Sequence, residues 1–104
     1  MIEIIRACEK EIAAFPEVIR EDLADALARL DAGLILSMPL SRPMTDIGKG
    51  VHELRLRDRA GIYRVFYFLR RHRSIYLLHA LKKTTQSTPT HTLALVKKRL
   101  KEIK

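Results

Sequence analysis

Arg64 is the single charge within Ile62-Tyr63-Arg64-Val65-Phe66-Tyr67-Phe68. A guanidinium on an apolar strand is costly unless it meets a carboxylate, a phosphate or water. Two readings stand open: an ion pair with a carboxylate such as Glu53, or a grip on a phosphate. Arg55 and Arg57 alternate on the stretch before it, and Lys82-Lys83 close a later apolar run. Lys97 and Lys98 follow near the C-terminus. Each has an ordinary alternative, a solvated strand face for the arginines and surface loop or helix charge for the lysines. As a set they suit a polyanion. Histidine titrates near neutrality unaided. His91 is the candidate acid or base, with a surface role as its alternative. His79, inside Leu77-Leu78-His79-Ala80-Leu81, reads as a hydrogen-bonded core residue, His52 lies near a sheet edge and His72 in a hairpin loop.

Other chemistries lack their residues. The four histidines have no paired metal-ligand spacing, and Cys8 stands alone, so neither a disulfide nor a multi-cysteine zinc site can form within the chain. There is no glycine-rich phosphate loop, no Gly-x-Ser-x-Gly elbow and no His-Glu-x-x-His helix. The expectation is chemistry without a metal, a cofactor or a covalent nucleophile.

Charge points the same way. Residues 1–48 hold five basic and nine acidic residues; residues 49–104 hold fifteen basic and three acidic. The formal net charge is +8. A positive field concentrated in one half attracts polyanions through counterion release. The plain alternative is solubility charge.

These side chains must be positioned by a fold that 104 residues can build as one domain. Ile2–Ile5 reads as a short first strand and Glu9–Phe15 as a turn or two of helix. Phe15-Pro16 opens a longer helix with Ile19, Leu23, Leu27 and Leu30 on one face and Gly33 as its stop. Residues 34–50, with Pro39, Pro43, Gly48 and Gly50, read as a loop. Three strands follow, Val51–Arg57, Ile62–Leu69 and Ser74–Leu81, joined by a turn at Asp58–Gly61 and a basic loop at Arg70–Arg73. A polar loop from Lys82 to Ser87 leads to Thr88, which can cap a last helix with Pro89 in its first turn. Leu93, Val96, Leu100 and Ile103 form that helix's apolar stripe. The layout is α+β: N-terminal helices, an antiparallel sheet of three to four strands and a C-terminal helix. The helices are expected on one face of the sheet, with charged strand residues on the other. Apolar runs of only a few residues fall short of the roughly 20 needed to span a bilayer, and the N-terminus lacks the marks of a secretory signal. The expectation is a cytoplasmic protein with no membrane partner.

Gly50-Val51-His52-Glu53-Leu54-Arg55, Gly61-Ile62-Tyr63-Arg64-Val65-Phe66-Tyr67, Tyr76-Leu77-Leu78-His79-Ala80-Leu81-Lys82-Lys83-Thr84, Thr88-Pro89 and Lys98-Arg99-Leu100-Lys101 occur in that order. This ordered set resembles the phage-derived HigB-like branch of the RelE toxin superfamily, over nearly the whole chain. The resemblance implies a RelE-like fold and a toxin of a type II toxin–antitoxin system. Its activity would be metal-independent cleavage of mRNA by the RNA's own 2′-OH, commonly on the ribosome. Arg64 would then match the strand arginine that binds the scissile phosphate. Arg55 would match a basic residue on the preceding strand, and Lys83 one that follows the last strand. His91 falls near a terminal acid or base of some members. Implied partners are a helix-turn-helix antitoxin, mRNA and the ribosome, with operator DNA reached through the antitoxin. A non-catalytic RNA- or ribosome-binding module on the same scaffold is the competing reading.

Overall fold

The computed structural model describes residues 1–70, 74–83 and 90–103. In chain order these form β1 (Ile2–Ile4), α1 (Arg6–Ala13), α2 (Glu17–Asp31), β2 (Ser41–Pro43), β3 (Val51–Asp58), β4 (Gly61–Arg70), β5 (Ser74–Lys82) and α3 (Thr90–Ile103). The class is α+β. The Arg71–Arg73 part of the basic loop, with His72, lies outside the described residues, as do the polar loop beyond Lys83, Thr88 and Pro89.

The sheet has five strands in the order β1-β5-β4-β3-β2, one or two more than the sequence suggests. β3, β4 and β5 form the expected antiparallel meander. The additional pairings sit at the edges. β2 pairs antiparallel with β3 from within the segment read as a loop, and β1 pairs parallel with β5. Both edge strands are three residues long; β1 is the short first strand expected from Ile2–Ile5, and β2 is too short to show an alternating pattern in sequence. Pro43 is tolerated in β2 because an edge strand has a side that needs no ladder donor.

Local chemistry explains the boundaries. Pro16 sits at the N-cap of α2, where a missing N–H costs nothing. At the other end Gly33 takes φ 91°, its N–H reaches Leu30 O at 3.0 Å, and Leu34 N–H reaches Arg29 O at 3.0 Å. These two bonds cap the last carbonyls of the helix. The β3–β4 turn is closed by Asp58, whose Oδ1 accepts from the N–H groups of Ala60 and Gly61 at 2.8 and 3.1 Å. Pairing of Asp58 with Gly61 then sets Arg55 directly opposite Arg64.

Alternation along the strands makes two cores. On one face Leu54, Leu56, Tyr63, Val65, Tyr67, Ile75, Leu77 and Ala80 pack with Cys8 of α1 and Ile19, Leu23, Ala26, Leu27 and Leu30 of α2. On the other, Val51, Phe66, Phe68 and Leu78 pack with Met44, Ile47 and with Val96 and Leu100 of α3. The helices therefore do not all lie on one side. α3 and the turn around Ile47 cover part of the opposite face, because Phe66, Phe68 and Leu78 make that part too apolar to leave wet. The rest of that face carries Glu53, Arg55, Arg57 and Arg64.

Candidate nucleic-acid interface

Arg64 lies on the central strand, and its side chain is 2% exposed. Its Nη1 is 3.2 Å from Glu53 Oε2, and Glu53 is fully buried. The alternative left open by the sequence resolves here to the ion pair. Arg55 Nε donates to Glu53 Oε1 at 3.0 Å, and Arg42 Nη2 of β2 reaches the same oxygen at 3.5 Å. One carboxylate thus gathers three guanidiniums. The reason lies in the register. Arg55 and Arg64 face each other across the ladder, where like charges repel, and Glu53 is two residues along on the same face to neutralise both. Burial and the charges of Arg55 and Arg42 pull the Arg64 pKa down, against Glu53. A guanidinium stays charged through such a shift.

Lys83 joins this group. Its backbone N–H donates to Ile62 O, continuing the ladder past β5. Partial burial, then the charges of Arg64 and Arg55, lower its ammonium pKa, with Glu53 opposing. The cluster Arg42, Arg55, Arg64 and Lys83 carries four positive charges against one. Arg42 and Arg55 remain about one-third exposed (36% and 31%). Arg57 is exposed two residues beyond Arg55 on the same face.

The other expected cations go elsewhere. Lys82 points to the α1 and α2 side, with Nζ 5.8 Å from the centre of the Tyr63 ring. Strand alternation sends Lys82 and Lys83 to opposite faces, so Lys82 is removed from the cluster. His91 is exposed at the start of α3, the helix packed on the other half of this face. Lys97 and Lys98 are exposed on the same helix.

Residues 10–101 match the family described as Phage derived protein Gp49-like (DUF891). The chain belongs to that family. No curated protein matches it. Among solved structures, this Gp49-like chain is similar to a double arginine-to-alanine mutant of the E. coli toxin RelE in the free state. The TM-score is 0.54 at 14% identity, covering 100% of this chain and 97% of that one. The Gp49-like chain therefore has the RelE fold.

A second ionic group in this Gp49-like fold was not legible from its residues. Glu11 of α1 receives Arg99 of α3 through both oxygens, at 2.9 and 3.2 Å. β1 pairs with β5 only up to Leu77. Beyond that point Arg99 Nη1 donates to Leu78 O at 2.9 Å, and Glu11 Oε1 accepts from Ala80 N–H at 3.2 Å. The pair stands in for the missing strand along the β5 edge. His79 Nδ1 lies 2.9 Å from Glu11 Oε2 and 3.1 Å from Arg99 Nη1. Burial outweighs Glu11 and lowers the His79 pKa, which favours the neutral ring. His79 is the hydrogen-bonded core residue expected. The pairings of Arg42, Glu11 and Arg99 gave no sequence signal because their partners lie on separate elements.

Proposed function

We propose that this protein is the toxin of a type II toxin–antitoxin pair, a metal-independent endoribonuclease that cuts mRNA, with the ribosome as the place of cutting. The carrying observation is the surplus of positive charge around Glu53 on the uncovered half of the sheet. A phosphodiester laid there meets Arg55, Arg57 and Lys83 together, beside the buried Arg64–Glu53 pair. The substrate's 2′-hydroxyl gives its proton to solvent water as its oxygen attacks the adjacent phosphorus, the P–O5′ bond breaks, and the products are a 2′,3′-cyclic phosphate and a 5′-hydroxyl. The protein's work is alignment, stabilisation of the charge gathering on the phosphoryl oxygens, and delivery of a proton to O5′. Arg55 suits the second task. Lys83, with its lowered pKa, suits the third. Arg64 acts from beneath, holding Glu53 and through it Arg55.

The resemblance to the HigB-like branch supplies the partners of this reading: a helix-turn-helix antitoxin, mRNA and the ribosome in the cytoplasm, with operator DNA reached through the antitoxin. Among the described residues no helix is long and apolar enough to cross a membrane.

The burial of Arg64 in its pair with Glu53 favours a second reading, an RNA- or ribosome-binding module that leaves RNA whole. One assay separates the two. Purified protein is incubated with end-labelled mRNA, with and without ribosomes. Fragments ending in a cyclic phosphate, lost in Arg55→Ala and Lys83→Ala, support the nuclease. RNA bound with a steep salt dependence but uncut at high protein concentration refutes it.

A further inference from the structure

Beside the cationic cluster, an open cleft of about 270 Å³ runs between α2 and the outer edge of β3, lined by Asp22, Asp25, Arg29, Leu40, Arg55, Leu56 and Arg57. Asp22, Asp25 and Arg29 fall at helical spacing and share one stripe of α2. Among the described residues no ion pair spans the cleft from Asp22 or Asp25 to the β3 arginines. One wall therefore presents two carboxylates beside Arg29, and the other is the outer edge of β3, whose arginine side chains belong to the sheet face turned away from α2.

The floor is a strand edge. β2 pairs with β3 no further than Leu54. Arg55 N–H points outward, donating to Leu40 O at 2.7 Å. Backbone groups two residues apart on a strand point the same way, so the N–H and C=O of Arg57 also face outward, beyond the end of β2. The cleft thus combines a backbone donor, a backbone acceptor and two carboxylates, and it meets the phosphate cluster at Arg55.

We infer that this cleft is a nucleobase subsite, which takes the base next to the bound phosphate and selects for an exocyclic amine. Single-stranded RNA offers bases free to be splayed out and read on their edges. The Arg57 peptide groups can meet the donor–acceptor edge of any base. Carboxylates accept from the amines of cytosine, adenine or guanine, and repel the carbonyl oxygen that uracil carries in their place. The inference rests on the RNA-binding part of the proposed function and adds its base selectivity.

The test uses uncleavable 2′-O-methyl pentanucleotides, one all uridine and one with a central cytidine, and the intact protein. Fluorescence anisotropy gives the ratio of the two affinities. Wild type is expected to prefer the cytidine pentamer about tenfold, within what one well-placed base-edge contact supplies. Asp22→Ala/Asp25→Ala is expected to bring the ratio close to one. Glu17→Ala/Glu21→Ala removes the same charge from α2 outside the cleft and is expected to keep the wild-type ratio. Both pairs of changes raise helix propensity on an exposed surface, so folding is preserved. A wild-type ratio of one, or a preference that survives in the Asp22/Asp25 variant, overturns the inference. Loss of the preference in both variants also overturns it, since net charge would then be the cause. Failure of the nuclease reading shows separately, as uncut mRNA.

Discussion

Arg55 and Arg64 face each other across β3 and β4 and share the carboxylate of Glu53, one on each oxygen. Removing Glu53 leaves Arg64 buried beside a like charge. Glu53→Ala is expected to cost about 3–5 kcal/mol, the penalty of breaking a buried ion pair from one side. A double change to apolar residues, Glu53→Leu with Arg64→Met, is expected to recover most of that loss. Urea unfolding of the three proteins checks it; a double variant no more stable than Glu53→Ala would show that the pair does more than neutralise itself.

Lys83 is expected to matter for chemistry and little for stability. Lys83→Ala should lower cleavage about a hundredfold, as loss of a general acid does, with unfolding free energy changed by less than about 0.5 kcal/mol. The protonated form is the one that delivers the proton. Cleavage should therefore fall as pH rises through the Lys83 pKa, and that limb should lie below the ordinary lysine value of 10.5. A rate–pH profile identical in Lys83→Ala would remove it from the mechanism.

Acid should weaken the fold in two stages. His79 has its pKa lowered by burial, so the unfolded chain binds its proton first, and the stability owed to the neutral ring is full above 6.5 and lost as pH falls below it. Burial alone would raise the Glu11 carboxyl; hydrogen bonds from Arg99, the Ala80 N–H and His79 outweigh burial and hold it below 4.5. Its contribution is present above 4.5 and disappears as pH drops further. Melting temperatures measured from about pH 8 down to about pH 3 should fall in both windows. His79→Gln should flatten the first and spare the second.

Cys8 is fully buried on the sheet-facing side of α1, and burial, with Glu11 nearby, pushes its thiol pKa up to about 12. The thiolate is the reactive form. Native protein should resist iodoacetamide at neutral pH and label fully once unfolded in urea. Rapid labelling of the native state would mean that α1 opens from the sheet.

Gly50 takes φ +86°, and a Cβ there would lie 2.9 Å from Leu69 O and 3.1 Å from Phe68 Cε1. Gly50→Ala combines a left-handed backbone with a backbone clash and should cost more than about 1 kcal/mol. Its melting temperature should drop by several degrees. A melting temperature equal to wild type would show that the β2–β3 connection can move aside.

What could be read along the chain was local. Period-two alternation puts Glu53, Arg55 and Arg57 on one strand face. Proline and glycine bound α2, and the Asp58–Gly61 turn joins two strands of the meander. The concentration of charge in residues 49–104 was visible by counting. Tertiary structure decided the rest. Whether Arg64 meets a carboxylate or a phosphate depends on strand register. Whether Lys82 or Lys83 faces the arginines depends on which side of β5 is covered. α3 crosses to the second face because Phe66, Phe68 and Leu78 need burial there. Arg42 reaches Glu53 from an edge strand three residues long, and Glu11 meets Arg99 across 88 positions. Helix and strand patterns arise from neighbours a few bonds apart. Ion pairs between separate elements arise only when packing brings their surfaces together, and no spacing in the chain encodes that distance.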